Sequence, residues 1–238
     1  MKVATWNVNG IRARAAQVRE WLDRERPDVV CLQELKAEVH QIPDECQLED
    51  YHRFWHCRKA YSGVSLLVRR ALVPGEPVYT HPPFDMESRI VQVELADLVV
   101  ASVYVPNGGK DYLAKIGFLT RMIDWVRQLQ AEGRPLLVCG DLNIARTEMD
   151  VHPRERKPNA VGQRPEERAL FETLLGAGLR DLGREFDPDN PGLFTWWAPW
   201  RNLRARNIGW RLDYMLASPA VASRATGCVV QAEVGTSD

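Results

Sequence analysis

Short apolar runs rich in β-branched residues set the pattern of this chain. Residues 2–8, 28–32, 63–68, 89–95, 98–105, 135–139, 211–216 and 227–234 each read as a strand. Several, such as Leu136-Leu137-Val138-Cys139, are apolar at every position, the pattern of a strand buried on both faces. Helical spacing appears in three places. Ile11, Ala15, Val18 and Leu22 form a stripe that stops before Pro27. Leu113, Ile116, Leu119, Ile123 and Val126 form a second that ends at Gly133. Leu170, Leu174 and Leu175 form a third, opened by Pro165-Glu166-Glu167 and closed near Gly176. Strands buried on both sides with few helices predict packed sheets with helices outside them. Two segments, 148–163 and 186–207, are polar, proline-bearing and irregular; long irregular loops inside a compact domain are often functional. No linker, repeat or low-complexity stretch interrupts the pattern, so the chain reads as one domain.

Composition narrows the class. The 238 residues carry 31 Lys+Arg against 32 Asp+Glu, a net charge of −1, with 45% hydrophobic and 26% charged residues. These values exclude a disordered, collagen-like or coiled-coil chain, and no apolar run approaches the ~18 residues of a membrane span. Five cysteines at irregular spacing argue against a disulfide framework, and no Cys-x-x-Cys pair suggests zinc. Met1-Lys2-Val3 leads directly into the first strand with no signal-peptide pattern, so the expected compartment is a reducing cytoplasm. A near-zero net charge leaves nucleic acid open as a partner, because local patches matter more than the sum.

The candidate chemistry sits at strand ends: Trp6-Asn7-Val8-Asn9-Gly10, Gln33-Glu34, Tyr104-Val105-Pro106-Asn107-Gly108, Gly140-Asp141-Leu142-Asn143, Arg211-Leu212-Asp213-Tyr214 and the closing Thr236-Ser237-Asp238. A single Asp or Asn in such a place is usually a turn former or cap. Gathered at one end of a sandwich, five or six of them would make an oxygen-rich, acidic cluster whose self-repulsion calls for a cation. Oxygen ligands select Mg²⁺ or Mn²⁺ over zinc. A hard metal among carboxylates suits phosphodiester hydrolysis, where it neutralises phosphate oxygens and the leaving oxyanion, and an Asp can deprotonate the attacking water.

In order along the chain, Trp-Asn-Val-Asn-Gly-Ile-Arg-Ala (6–13), Leu-Gln-Glu-Leu-Lys (32–36), Tyr-Ser-Gly-Val (61–64), Tyr-Val-Pro-Asn-Gly (104–108), Gly-Asp-Leu-Asn (140–143) and Gly-Trp-Arg-Leu-Asp-Tyr (209–214) resemble the exonuclease III family of abasic-site endonucleases. Each motif alone is weak, but the ordered set is specific and covers essentially the whole chain. The resemblance implies a four-layer α/β/β/α sandwich and Mg²⁺-dependent cleavage of duplex DNA 5′ to abasic sites, with 3′→5′ exonuclease and 3′-end repair in many members. The enzyme is expected to act as a monomer on abasic sites or 3′ ends, away from any membrane. The resemblance makes Glu34 the main metal carboxylate, with Asn7 and Asn9 beside the metal; the family often has Asp at the second of these positions. It assigns water activation to Asp141, positioning of the water or phosphate to Asn143, and donation to the scissile phosphate or leaving group to Tyr104. Asp213 would orient a histidine, and Asp238, also a metal-side residue, belongs to a terminal Ser-Asp-His motif. Lys36 supports the cluster without ligating.

For DNA, the resemblance places Trp196, Trp210 and Leu212 around a small apolar pocket for the base-less sugar, which selects by size. Trp200 is either a wedge presented to the duplex or ordinary loop packing. Arg201, Arg204, Arg206 and Arg211 form a basic run without an acid, expected to meet phosphates with salt-dependent affinity. Asn107 and Lys110 on the Asn-Gly-Gly-Lys loop, and Arg154, Arg156, Lys157 and Arg164, are weaker candidates. Arg89 is either a phosphate-side or a structural arginine. The family pattern continues with His and a last strand after Ser-Asp, so the natural chain is expected to run past Asp238; none of His40, His52, His56, His81 and His152 adjoins a motif. Two other readings remain: a phosphoesterase of the same sandwich acting on phosphoinositides or phospholipids, and a catalytically impaired DNA-binding fragment. The Arg-Leu-Asp-Tyr segment with its arginine-rich loop favours DNA, and Glu34, Asp141 and Asn143 together favour intact chemistry.

Overall fold

The computed structural model describes residues 1–58 and 61–234. Two mixed sheets, of four and six strands, carry the fold, the α/β class that the apolar runs predict. The chain divides into two compact units, the first built from residues 1–104 and 137–141, the second from 105–136 and 142–233.

The first unit begins with β1 (Val3–Asn7), α1 (Ile11–Glu25) and β2 (Val29–Gln33). β3 (Tyr51–His56) and β4 (Val64–Arg69) complete a sheet of order β1-β2-β4-β3, parallel only between β1 and β2. Helix α1 turns Ile11, Ala15, Val18, Trp21 and Leu22 onto Val30, Leu32 and Leu67. Each of its buried Ile, Val and Leu side chains contributes roughly 1.5–3 kcal/mol. The helix ends where Arg26 enters the left-handed region and returns its N–H to the Leu22 carbonyl, one residue before Pro27. The sheet's other face packs on β6 (Ile90–Leu95) and β7 (Leu98–Tyr104). There the buried Gln33 amide donates to Ser102 Oγ at 3.0 Å. β5 (Tyr79–Thr80) and β8 (Leu136–Asp141) belong with these strands to the six-stranded sheet, of order β5-β6-β7-β8-β10-β9. β2, β7 and β8 are buried at every residue, as their largely apolar sequences require.

The second unit holds α2 (Tyr112–Ala131), α3 (Pro165–Gly176), β9 (Arg180–Asp181), α4 (Leu182–Phe186), β10 (Asp213–Ala217) and α5 (Pro219–Ala222). Helices α2 and α3 pack on each other. The segment 148–163 contains only two single-turn helices, and 186–207 is irregular beyond the end of α4, as expected.

The structure departs from the sequence expectation at four places. Residues 227–234 are not a strand: 227–231 lack regular structure and 232–234 form a turn. Val229 is 83% exposed, so the segment has no buried face to fix a register. The stripe on α2 is rotated: Leu113 is 80% exposed, and Lys115 lies in the interior with Phe118, Leu119 and Met122. Lys115 tolerates this because its ammonium lies 2.5 Å from the equally buried Glu167 carboxylate. Arg211 is not a member of a phosphate-facing run. It is buried, pairing with Asp150 at 2.7 Å and with both oxygens of Asp181 at 2.9 and 2.7 Å. Finally, β3 was not among the expected strands; its Tyr-His-Arg-Phe-Trp-His sequence shows no alternation to reveal it. Among the described residues no helix is long and apolar enough to cross a membrane.

Candidate active site

The first unit brings Asn7, Asn9, Glu34, Lys36, Tyr104 and Asp141 together. Asn7 ends β1 and Glu34 follows β2, and the parallel pairing of these strands sets Asn7 opposite Gln33. The turn after β2 is held by four backbone bonds: Leu35 N–H to Gly63 O, Lys36 N–H to Ser62 O, Gly10 N–H to Glu34 O and Ile11 N–H to Leu35 O. These bonds keep two non-glycine residues in the left-handed region, Glu34 at φ 54° and Lys36 at φ 49°, with Asn9 at φ 45° beside them. Such conformations persist only where surrounding contacts over-determine them, and they concentrate at functional sites. Asp141 arrives at the end of β8 through Gly140, whose φ is 145°. A Cβ there would lie 2.0 Å from the Val103 carbonyl oxygen, so only glycine brings the chain past β7 at this point.

Asn7 is the hub. Its amide nitrogen donates to Glu34 Oε1 at 2.8 Å and to Asp141 Oδ2 at 2.9 Å, while its oxygen accepts the Asn9 N–H at 3.0 Å. One neutral amide thus bridges two carboxylates. The second Glu34 oxygen lies 2.6 Å from Lys36 Nζ, which also donates to Asn9 Oδ1. Tyr104 is buried, and burial together with the Glu34 and Asp141 charges pushes its hydroxyl far above the usual tyrosine range. The phenol therefore keeps its proton and offers it to Glu34. Arg89, also buried, spans Glu87 at 3.0 and 2.7 Å and lays its guanidinium 4.7 Å from the Tyr104 ring centre. This is a supporting arrangement that fixes the ring, and the sequence alone left it undecided. The oxygen atoms of the cluster are carboxylate, amide and hydroxyl, ligand types that fit a hard divalent cation better than zinc.

In the second unit, Asn143 is held from three sides. Its amide donates to Val105 O at 2.9 Å, its side-chain oxygen accepts from Asn107 at 3.1 Å, and its backbone oxygen accepts from Lys115 Nζ at 2.7 Å. Lys115 also donates to Asn107 O at 3.1 Å. The Lys115–Glu167 pair therefore pins both asparagine-bearing loops. Sequence reasoning missed it; the only signal was a lysine within the α2 apolar pattern. Trp196 and Trp210 pair across a two-residue bridge with their rings edge to face at 5.8 Å. The Leu212 and Asp213 N–H groups both donate to Thr195 Oγ1 at 3.0 Å. Trp196, Trp210 and Leu212 are thus brought together, with Trp196 40% exposed and Leu212 buried. Trp200 is 59% exposed on a turn, and Arg201, Arg206, Asn107 and Lys110 are exposed as well. Arg204 is half-buried and engaged by the chain itself, over the Trp197 ring at 4.8 Å and on the Ala232 carbonyl at 2.6 Å. Asp238 lies outside the described residues.

The model of the endonuclease/exonuclease/phosphatase family matches residues 4–238. The exodeoxyribonuclease of Bacillus subtilis is 33% identical over an alignment covering 100% of this chain and 96% of its own. The DNA repair nuclease APEX1 of Danio rerio is 35% identical, with 93% of this chain and 74% of that protein covered. The structure of a 3′–5′ exonuclease from Neisseria meningitidis superposes with a TM-score of 0.86 at 30% identity, covering 95% of this chain and 90% of that one.

Proposed function

The chain belongs to the endonuclease/exonuclease/phosphatase family and is a hydrolytic DNA-repair nuclease; within that activity we propose that it cuts the phosphodiester 5′ to abasic sites in duplex DNA, with Mg²⁺ as the working cation. The observation that carries this reading is the Glu34–Asn7–Asp141 bridge: two carboxylates from different strands joined through one amide. Two such charges held close together favour a cation, and carboxylate and amide oxygens suit a hard divalent one. Glu34 holds the ion, with the Asn7 and Asn9 amides beside it, and Mn²⁺ can replace Mg²⁺. When bound, the ion supplies charge neutralisation at the phosphate and the departing oxyanion.

The residues of the chain do the rest. Asp141 accepts the proton of the attacking water, and Asn7 holds its carboxylate in line through Oδ2. Tyr104 stays protonated and donates to the phosphate or leaving oxygen, where a single fixed donor contributes roughly 3–4 kcal/mol to the transition state. Lys36 keeps a fixed positive charge against Glu34. Asn143, anchored through Asn107 and Lys115, orients water or phosphate. Trp196, Trp210 and Leu212 take the base-less sugar, which a normal nucleotide does not fit. Trp200, Arg201, Arg206, Asn107 and Lys110 meet the DNA backbone.

The protein acts as a monomer in the cytoplasm; its cysteines Cys31, Cys46, Cys57, Cys139 and Cys228 are all free thiols, which fits a reducing compartment. The test is a duplex with one abasic site, an intact duplex and a phosphoinositide, each incubated with Mg²⁺ or with EDTA. Nicking 5′ to the abasic site in Mg²⁺ alone supports the proposal. Equal cutting of the intact duplex, or release of phosphate only from the lipid, refutes it.

A further inference from the structure

On the first unit, away from the Glu34–Asp141 cluster in sequence, three metal-ligating side chains meet. His56 ends β3, His81 follows β5, and Asp85 lies in the turn before β6. Their ligand atoms all fall within 4.8 Å of one another. The imidazoles of His56 and His81 are stacked, centres 4.8 Å apart and planes 15° apart, and each offers a ring nitrogen to the set. The Phe54 ring lies near-parallel to His56 at 6.2 Å and stacks on Tyr79 at 5.0 Å, which packs aromatic rings against the first imidazole. Asp85 is equally constrained. Its Oδ1 accepts the Arg89 and Ile90 N–H groups at 2.8 and 3.1 Å, which leaves Oδ2 free to face His56 Nε2 at 2.7 Å. A carboxylate locked through one oxygen and a histidine ring packed among aromatic rings form the kind of oriented ligand pair that metal sites require.

We propose that His56, His81 and Asp85 form a second metal site, selective for a borderline divalent transition ion of the Zn²⁺ class and distinct from the oxygen-only cluster around Glu34. Two imidazoles and one carboxylate are the ligand types that favour such ions over Mg²⁺. Around tetrahedral zinc, with bonds of about 2.0–2.2 Å, ligand atoms lie about 3.3 Å apart. His56 and Asp85 must therefore part by roughly half an ångström and His81 close in, a rotamer-scale adjustment for a side chain that is exposed. Three protein ligands leave a fourth position for water. The neighbouring Cys57 is buried and is not among the ligand atoms that converge here. Occupation would tie the β3 end to the turn that carries Arg89, and the Arg89 carbonyl accepts the Tyr104 N–H at 2.7 Å.

The test is calorimetric titration of Zn²⁺ into the full chain in saturating Mg²⁺, which fills the Glu34 cluster. One Zn²⁺ should bind per chain. His81→Gln, a change at an exposed side chain, should weaken that binding by at least about tenfold, the loss typical for even an outer partner of a metal ligand. Glu34→Gln should leave it unchanged. Co²⁺ absorption on the unaltered protein should show a tetrahedral nitrogen–oxygen spectrum without a thiolate charge-transfer band. The proposal is overturned if no saturable Zn²⁺ binding occurs, if a thiolate band appears, if Glu34→Gln abolishes binding, or if His81→Gln and Asp85→Asn both retain full affinity. The last result would make the trio a stacked His–Asp ion pair only.

Discussion

Replacing Asn7 with Asp probes the bridge directly. The substitution keeps size and shape but removes two donors, at 2.8 and 2.9 Å from Glu34 and Asp141, and sets a third carboxylate in their place. At about 3 Å and an effective dielectric constant near 20, each new pair would repel by roughly 5–6 kcal/mol. The folded protein avoids most of that by binding a proton. Moving one carboxyl from its usual pKa of ~4 to above 7 costs about 1.4 kcal/mol per unit, so at pH 7 the loss is capped near 4 kcal/mol. A chain of this size loses about 2–4 °C of Tm per kcal/mol. The metal-free variant should therefore melt about 8–16 °C below the parent at pH 7. The sign of the pH dependence follows. The extra carboxyl is raised in the folded state, so the penalty is full at high pH and fades as pH falls toward ~4. Because the ligand set is now more anionic, saturating Mg²⁺ should raise the variant's Tm more than the parent's. Differential scanning calorimetry at several pH values, with EDTA and with Mg²⁺, reads all three. A metal-free Tm within about 2 °C of the parent at pH 7 would refute the bridge.

Lys115→Met leaves Glu167 buried without its ammonium and should cost about 3–5 kcal/mol in urea unfolding; a loss below about 1 kcal/mol would remove the pair from its anchoring role. Arg201→Ala and Arg206→Ala should each make the salt dependence of DNA binding shallower by about 0.9 in log–log slope. Arg204→Ala should change that slope less, because its guanidinium is held by Trp197 and Ala232; equal effects from all three would contradict the division. Burial works to raise the Asp150 carboxyl, but Arg211 and Arg184 outweigh it and hold the group below the usual range. Its stabilisation is therefore present above pH ~4 and lost as pH falls through the lowered pKa. The stability gap between the parent and Asp150→Asn, measured by denaturant titration, should narrow in acid; a constant gap would be inconsistent with this pairing.

The elements legible in the sequence were those whose burial is symmetrical. β2, β7 and β8 are largely apolar because both faces are covered, and that pattern survives any ignorance of topology. The candidate residues of the first unit were legible for a related reason: Asn7, Glu34 and Asp141 are polar groups where an apolar run stops, and that is where strand ends present them. What the sequence hid was pairing. Lys115 and Arg211 look like solvent-facing cations until Glu167, Asp150 and Asp181 are found opposite them, contacts separated by 52, 61 and 30 residues along the chain. β3 was hidden because its two faces mix aromatic and basic side chains. Residues 227–234 misled for the opposite reason, since β-branched composition alone does not supply a strand partner. The Asn7 bridge was hidden too: the sequence suggested a residue beside the metal, and the fold makes it an amide that donates to both carboxylates.

The central claim is that Asp141 performs the chemistry in the cluster that Asn7 ties to Glu34. Single-turnover cleavage of a duplex bearing one abasic site, measured for Asp141→Asn beside the parent in saturating Mg²⁺, tests it most directly. The exchange removes the base while keeping its shape, so the rate should fall by about 10²–10⁴, the range of general-base contributions, while the Kd for the same duplex stays within a few-fold. A variant that cleaves at the parent's rate once bound, or one whose only defect is weaker binding, would contradict the account.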